Sequence, residues 1–144
     1  MKPEQSEAHA TSTARVYADG ALACLTWLPG PRALSDFQDA MNALLVLLRQ
    51  LRTGKALVDQ RRMAPLTAAE QAWVLAYWLP RAVAQGHYRY AAVLPAADAL
   101  ARQATKQVRV DAAHHPGLPR YEDFADEERA RQWLRRQIVI ESRI

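Results

Sequence analysis

The stretch that decides the fold runs from Val16 to Trp27 and reads VYADGALACLTW. The dipeptide Asp19-Gly20 between two apolar runs predicts a β-hairpin, because a type I′ turn needs a positive φ at both of its central residues. The second run, residues 21–28, is apolar on both faces. We therefore expect it to be an inner strand of a sheet that is covered on both sides.

Outward from the hairpin, helical and strand patterns alternate. Residues Ser35 to Gln38 read as a capping box with Ser35 as the N-cap, and apolar residues follow at helical spacing as far as Leu51. Gly54 stands where a left-handed helix C-cap belongs. The next five residues, Lys55–Asp59, read KALVD and predict a short buried strand.

A second capping box, Thr67 with Glu70, predicts the start of another helix, which Pro80 should bend or break. In that helix the predicted core stripe consists of Trp73, Tyr77, Pro80 and Ala84. The remaining predicted elements are a strand at 88–94, a short helix at 96–103, a brief strand at 108–110, a possible edge segment at 120–124 and a closing helix capped by Asp126. Such alternation predicts an α/β domain with a mixed sheet of four or five strands, opened by a hairpin and flanked by helices.

The length of 144 residues fits one domain. We expect a flexible N-terminal tail at 1–13, a single domain at 14–137 and a C-terminal tail at 138–144. No apolar run reaches the roughly 18 residues of a membrane span, and no secretory signal follows Met1. The single cysteine, Cys24, cannot form an internal disulfide and is expected to be buried. These features predict a cytoplasmic protein.

The formal net charge is +4, and most of the cationic residues are arginines spread among acids. The densest cluster, Arg129, Arg131, Arg135 and Arg136, is accompanied by Glu127 and Glu128. This mixture predicts a solvated helix face and no nucleic-acid interface.

The sequence favours a protein that is not an enzyme. None of the serines lies in a nucleophile turn, and Cys24 falls inside a predicted strand. The adjacent His114 and His115 lack the spacing of metal ligands, and the five glycines form no phosphate-binding loop. We therefore expect no catalytic residue, no metal and no cofactor.

Three phrases carry a resemblance to a known family. They are Ala56-Leu57-Val58-Asp59-Gln60-Arg61, then Trp78-Leu79-Pro80 with Gly86 and Tyr90-Ala91-Ala92-Val93, and finally Phe124 to Leu134. From Val16 to Leu134 the chain resembles the STAS-like, or SpoIIAA-like, domains, in a bacterial branch whose function is uncharacterised. The resemblance implies the SpoIIAA-like α/β fold and a role in regulatory protein binding.

The chain departs from that family at its regulatory turn. In the anti-sigma-factor antagonists, the strand equivalent to Ala56–Asp59 runs into a turn whose serine is phosphorylated, and that phosphorylation switches partner binding. Here residues 60–63 contain no serine. The nearest hydroxyl belongs to Thr67, which the capping box already explains, although a phosphate at a helix N-terminus would be tolerated. We expect no serine phosphoswitch and leave phosphorylation of Thr67 open.

The loop from Asp59 to Thr67 is the first candidate binding site. Ligands favour the carboxyl ends of strands in open α/β sheets, and Arg61 and Arg62 at such an end could hold an anion or an acidic partner surface. In the alternative interpretation, Asp59 braces the loop through Arg61 or a backbone amide, and both arginines are solvated.

Trp78 and Leu79 form the second candidate site. Both lie off the core stripe of their helix, which predicts an exposed interface, unless the bend at Pro80 returns them to the core.

The leading hypothesis is a non-catalytic protein-interaction or regulatory module that binds another protein or a second copy of itself. The alternative is a binder of a small apolar, lipid-like ligand, as in the related CRAL-TRIO-like folds, with a cavity of several hundred Å³ beside Trp73, Tyr77 and Trp78.

Overall fold

A six-stranded mixed sheet forms the centre of the molecule in the computed structural model, which describes residues 5–138. Its strands are β1 (Gln5–Ala10), β2 (Ala14–Asp19), β3 (Leu22–Trp27), β4 (Lys55–Asp59), β5 (Tyr90–Leu94) and β6 (Arg120–Asp123). The helices are α1 (Leu34–Leu51), α2 (Ala68–Trp73), a π-helical turn (Val74–Trp78), α3 (Leu79–Gln85), α4 (Ala99–Ala112) and α5 (Glu127–Arg136). Because α2, the π turn and α3 are continuous, they form one long helix, called here the second helix.

The strands are arranged in chain order across the sheet. β1, β2 and β3 pair antiparallel, whereas β3, β4, β5 and β6 pair parallel through helical crossovers. The α/β class and the mixed sheet are therefore confirmed. The expected count of four or five strands is wrong, because β1 and β6 both pair at the edges.

The N-terminal edge strand β1 occupies residues 5–10 of the expected tail. Ser6 pairs with Ala18 and Ala10 pairs with Arg15, with an irregularity between Glu7 and His9. The prediction of a loose tail is wrong for residues 5–10. The reason is that β1 has no apolar face to reveal it, and backbone pairing with the edge of β2 holds it in place. The predicted C-terminal tail at 138–144 lies outside the described residues except for Ile138.

The hairpin forms where the sequence places it, but with a different turn. Asp19 pairs with Leu22, so the two loop residues are Gly20 and Ala21. Gly20 has a φ of 58°, and Ala21 is not among the residues with positive φ. The predicted type I′ turn centred on Asp19-Gly20 is therefore not formed, because only one loop residue is left-handed.

Both ends of α1 differ from the prediction. Its N-cap is Ala33, whose N–H donates to the Asp36 carboxylate at 3.2 Å, so Ser35 is not the N-cap. Its left-handed C-cap is Arg52, with a φ of 62°. Gly54 is not the C-cap. It allows a close approach of the backbone, because a Cβ at this position would lie 2.0 Å from the His87 carbonyl oxygen.

The helices cover the two faces of the sheet unequally. One face packs against α1 and the second helix, and its largest buried side chains include Leu25, Phe37 and Leu44. The other face packs against α5 through Leu57, Leu94 and Leu134. The prediction that β3 is covered on both sides is confirmed, since five of its six residues are buried.

The chain after β5 is more helical than expected. α4 runs unbroken from Ala99 to Ala112, so the predicted strand at 108–110 is wrong. Asp98 caps α4 by accepting the Ala101 N–H at 2.9 Å. In this helix the tertiary context outweighs the β-propensity of Val108 and Val110. Asp126 caps α5 as predicted, by accepting the Glu128 N–H at 3.1 Å. No helix in the described part of the chain is long and apolar enough to cross a membrane.

Candidate functional site

The loop after β4 is braced by its own side chains. The Asp59 carboxylate accepts the Arg61 backbone N–H at 3.0 Å and its guanidinium at 2.8 and 3.0 Å. This hydrogen bonding raises the pKa of Arg61, whose guanidinium also lies 3.4 Å from Glu127 of α5. Asp59 and Arg61 thus form an ion pair with each other, as the bracing interpretation requires.

The rest of the loop leaves one exposed arginine. Arg62 is exposed and forms no ion pair within residues 5–138. Thr67 closes the loop as the N-cap of α2, where its hydroxyl accepts the Glu70 N–H at 3.1 Å and Glu70 accepts the Thr67 N–H at 2.9 Å. The second capping box is therefore confirmed. Arg62 lies at the surface, whereas Thr67 caps the helix.

A buried ion pair, which the sequence analysis did not find, anchors this loop. Arg32 donates two hydrogen bonds to Glu70, at 2.7 and 2.8 Å, and both side chains are nearly inaccessible to solvent. Arg32 also donates to the Ala64 carbonyl at 3.3 Å and stacks over Trp27. Because one guanidinium joins the 29–33 connection, the loop and the first turn of α2, this pair fixes the carboxyl edge of the sheet.

Trp78 and Leu79 lie in the core, so the predicted exposed interface is wrong and the alternative, in which both side chains return to the core, is confirmed. They are 3% and 2% exposed, and the Trp78 indole donates to the Met41 carbonyl at 2.6 Å. The cause is the π turn, in which the Leu79 N–H bonds to the Val74 carbonyl five residues back. Pro80 has no N–H to restore the regular pattern. The extra residue rotates both side chains inward.

The same rotation places Tyr77 on the outside of the second helix, next to Trp73, which precedes the π turn. Tyr77 is 39% exposed and stacks on half-buried Trp73 with ring centroids 5.3 Å apart. The Arg81 guanidinium lies 3.6 Å from the centre of the Tyr77 ring. Tyr77 and Ala84 are therefore exposed, and their assignment to the predicted core stripe is wrong. We call Trp73, Tyr77 and Arg81 the aromatic–arginine face.

A small cavity lies between the sheet and the second helix. Its volume is about 100 Å³, and its walls are mainly apolar, with Met41, Trp78 and Tyr88 among the lining residues. Burial raises the pKa of Tyr88 well above its ordinary value. The volume is below the roughly 300–1,000 Å³ of most ligand pockets and below the several hundred Å³ that a lipid-like ligand would need.

A polar cluster on the opposite face of the sheet is buried under α5. Arg131 pairs with Asp19 and with Glu127 and donates to the Tyr17 hydroxyl at 3.3 Å. Arg131 is only 8% exposed, so it does not belong to the solvated helix face that the sequence predicted. Burial raises the pKa of the neighbouring Cys24 thiol to about 12, which makes this cysteine a weak nucleophile.

Among residues 5–138, no three side chains of the histidine, cysteine or carboxylate type converge as metal ligands. His115 instead contacts the Pro116 carbonyl at 2.8 Å. The chain matches no family model, no curated protein and no solved structure. The arrangement of the described residues therefore carries the functional interpretation.

Proposed function

We propose that this protein is a non-catalytic interaction module that binds an acidic protein through the aromatic–arginine face. One observation carries the proposal: the solvent-facing stack of Trp73, Tyr77 and Arg81. Tryptophan, tyrosine and arginine are the residue types that dominate the energetics of protein interfaces. The stack is also preorganised, so little conformational freedom would be lost on binding.

Support for a non-catalytic role comes from how the polar groups are used. Glu70 is fully engaged by Arg32 and by its helix cap, and Asp59 is engaged by Arg61. The Cys24 thiol is buried with a pKa of about 12. Groups in such positions brace the fold and do not exchange protons with a substrate.

The choice of an acidic partner rests on charge. The chain carries a net charge of +4, and Arg81 and Arg62 are cationic groups on the second helix and on the loop that leads into it. In a symmetric dimer formed through this face, the same patch would meet itself and bring two Arg81 side chains together. A second copy of the chain is therefore less favoured than an acidic protein.

Site-specific photo-crosslinking in the source cells tests the proposal. A photoreactive phenylalanine analogue replaces Tyr77, and a matched control carries it at Leu100, which is 68% exposed on α4. We expect one acidic protein to crosslink from position 77 and not from position 100. The purified partner should then bind the unmodified chain, with an affinity at least tenfold lower for Tyr77→Ala, because hot-spot truncations cost about 2 kcal/mol or more.

Equal crosslinking from both positions, or an affinity that Tyr77→Ala leaves unchanged, would contradict the proposal. A crosslink to a second copy of this chain would replace the acidic partner with a homodimer.

The apolar-ligand alternative is supported only by the small cavity beside Trp78. Its 100 Å³ admits at most a ligand of a few heavy atoms unless the second helix moves. The STAS-like assignment and a cytoplasmic location also remain proposals, and the α/β fold is compatible with both.

A further inference from the structure

A second exposed surface lies at the amino edge of the parallel strands, where α3 turns into β5. Two open grooves meet there, with volumes of about 420 and 430 Å³, and His87 lines both. Arg49 and Arg52 line the first groove, and Arg89 and Arg120 line the second. Within the described part of the chain, no aspartate or glutamate lines either groove.

The four arginines differ from those arginines in the described chain that carboxylates engage. Arg15, Arg32, Arg61, Arg109 and Arg131 all form such pairs. Arg49, Arg52, Arg89 and Arg120 are exposed and form no ion pair among residues 5–138. Even Asp19, at the end of β2 on this edge, is bound by Arg131. The groove walls therefore carry uncompensated positive charge.

The backbone holds the segments that carry Arg89 and Arg120 in a fixed arrangement beside Gly54. The Arg89 N–H donates to the Gly54 carbonyl at 2.9 Å, and the Arg120 N–H donates to the Arg89 carbonyl at 2.8 Å. The three segments therefore lie side by side at strand spacing. The only non-glycine residues with positive φ in the described chain, Arg52 and His87, both line these grooves.

We infer that the grooves around His87 form a binding site for a small, multiply charged phosphate compound. Arginine's planar guanidinium matches the geometry of phosphate oxygens and can donate two parallel hydrogen bonds to them. Two joined grooves with volumes in the usual range for small-molecule pockets fit a compound with more than one phosphate group. The site is independent of the aromatic–arginine face, so the chain would have two separate recognition surfaces.

Isothermal titration calorimetry of the full chain with inorganic tripolyphosphate tests this inference. We expect saturable binding at low ionic strength that weakens as salt is added, because the site is exposed. Arg49→Gln and Arg89→Gln remove one guanidinium from each groove, and each should weaken binding about tenfold, as loss of a charged hydrogen bond does. Arg136→Gln, at the exposed end of α5, is the matched control and should bind like the unmodified chain.

Circular dichroism spectra and melting temperatures equal to those of the unmodified chain establish that each variant is folded. Absence of tripolyphosphate binding, or equal weakening by Arg136→Gln, would overturn the inference. A titration with a single-stranded oligonucleotide distinguishes the source of the phosphate. Binding of the oligonucleotide without binding of tripolyphosphate would overturn the assignment of a small ligand.

Discussion

At the scale of single residues, two nearly buried arginine side chains are held by carboxylates. The Arg32–Glu70 pair holds the loop after β4, and Arg131 holds Asp19 and Glu127 beneath α5. No local pattern reveals these partners, because Arg32 and Glu70 are 38 residues apart. In sequence alone Glu70 is visible only as half of a capping box. A buried charge and a surface charge look alike until the fold brings their partners together.

The Arg32–Glu70 pair predicts a large effect of a small substitution. Glu70→Gln keeps the shape of the side chain but leaves the buried Arg32 guanidinium without a counter-charge. We expect the free energy of unfolding to fall by about 3–5 kcal/mol, measured by urea denaturation. Glu7→Gln is the control, because its pair with Arg15 is about half exposed and should contribute at most about 1 kcal/mol. Similar losses in the two variants would show that the buried pair has no special role.

The raised pKa of Cys24 predicts how stability depends on pH. The folded thiol keeps its proton up to about pH 12, while the unfolded thiol releases it near pH 9. The contribution to stability is therefore complete below pH 9 and is lost as the pH rises toward 12, by up to about 1.4 kcal/mol per pH unit. The raised pKa values of Tyr17, Tyr88 and Tyr121 also make stability fall as the pH rises. The lowered pKa of Lys55 has the opposite effect on stability.

Denaturation of the unmodified chain and of Cys24→Ala between pH 8 and pH 11 measures this contribution. The variant should lose stability less steeply above pH 9. Parallel curves would mean that the thiol titrates equally in both states.

At the scale of elements, periodicity in the sequence is informative where the helix or strand is regular. Apolar spacing revealed α1, the buried strand β4 and the parallel strand β5. The same method failed on β1, because its polar residues are held by pairing with β2 and not by burial. It failed again on the second helix, where the π turn shifts the side chains after Val74. Apolar spacing is judged against a constant 3.6 residues per turn. It therefore cannot detect the extra residue that a π turn inserts.

The π turn makes neighbouring residues behave in opposite ways. Trp78→Ala removes a buried indole and should lower the free energy of unfolding by about 3–5 kcal/mol. Tyr77→Ala removes an exposed ring and should cost no more than about 1.5 kcal/mol, mainly from its stacking on Trp73. Chemical denaturation of the two variants provides the comparison. If Trp78→Ala were as mild as Tyr77→Ala, the inward rotation of Trp78 would be incorrect.

At the scale of the whole molecule, the described chain carries two kinds of exposed surface. The outer side of the second helix carries the aromatic–arginine face, and the amino edge of the parallel strands carries the grooves around His87. The sequence supplied the α/β class and the loop that begins at Asp59. It could not supply either surface, because each depends on which side chains the π turn and the left-handed residues Arg52 and His87 turn outward.

The most direct test of the central claim is native mass spectrometry of the chain isolated gently from its source cells, alongside Tyr77→Ala and Leu100→Ala. We expect a complex of this chain with one acidic protein, retained by Leu100→Ala and lost in Tyr77→Ala while that variant stays folded. A mass of two identical chains, or a complex that Tyr77→Ala leaves intact, would contradict this prediction.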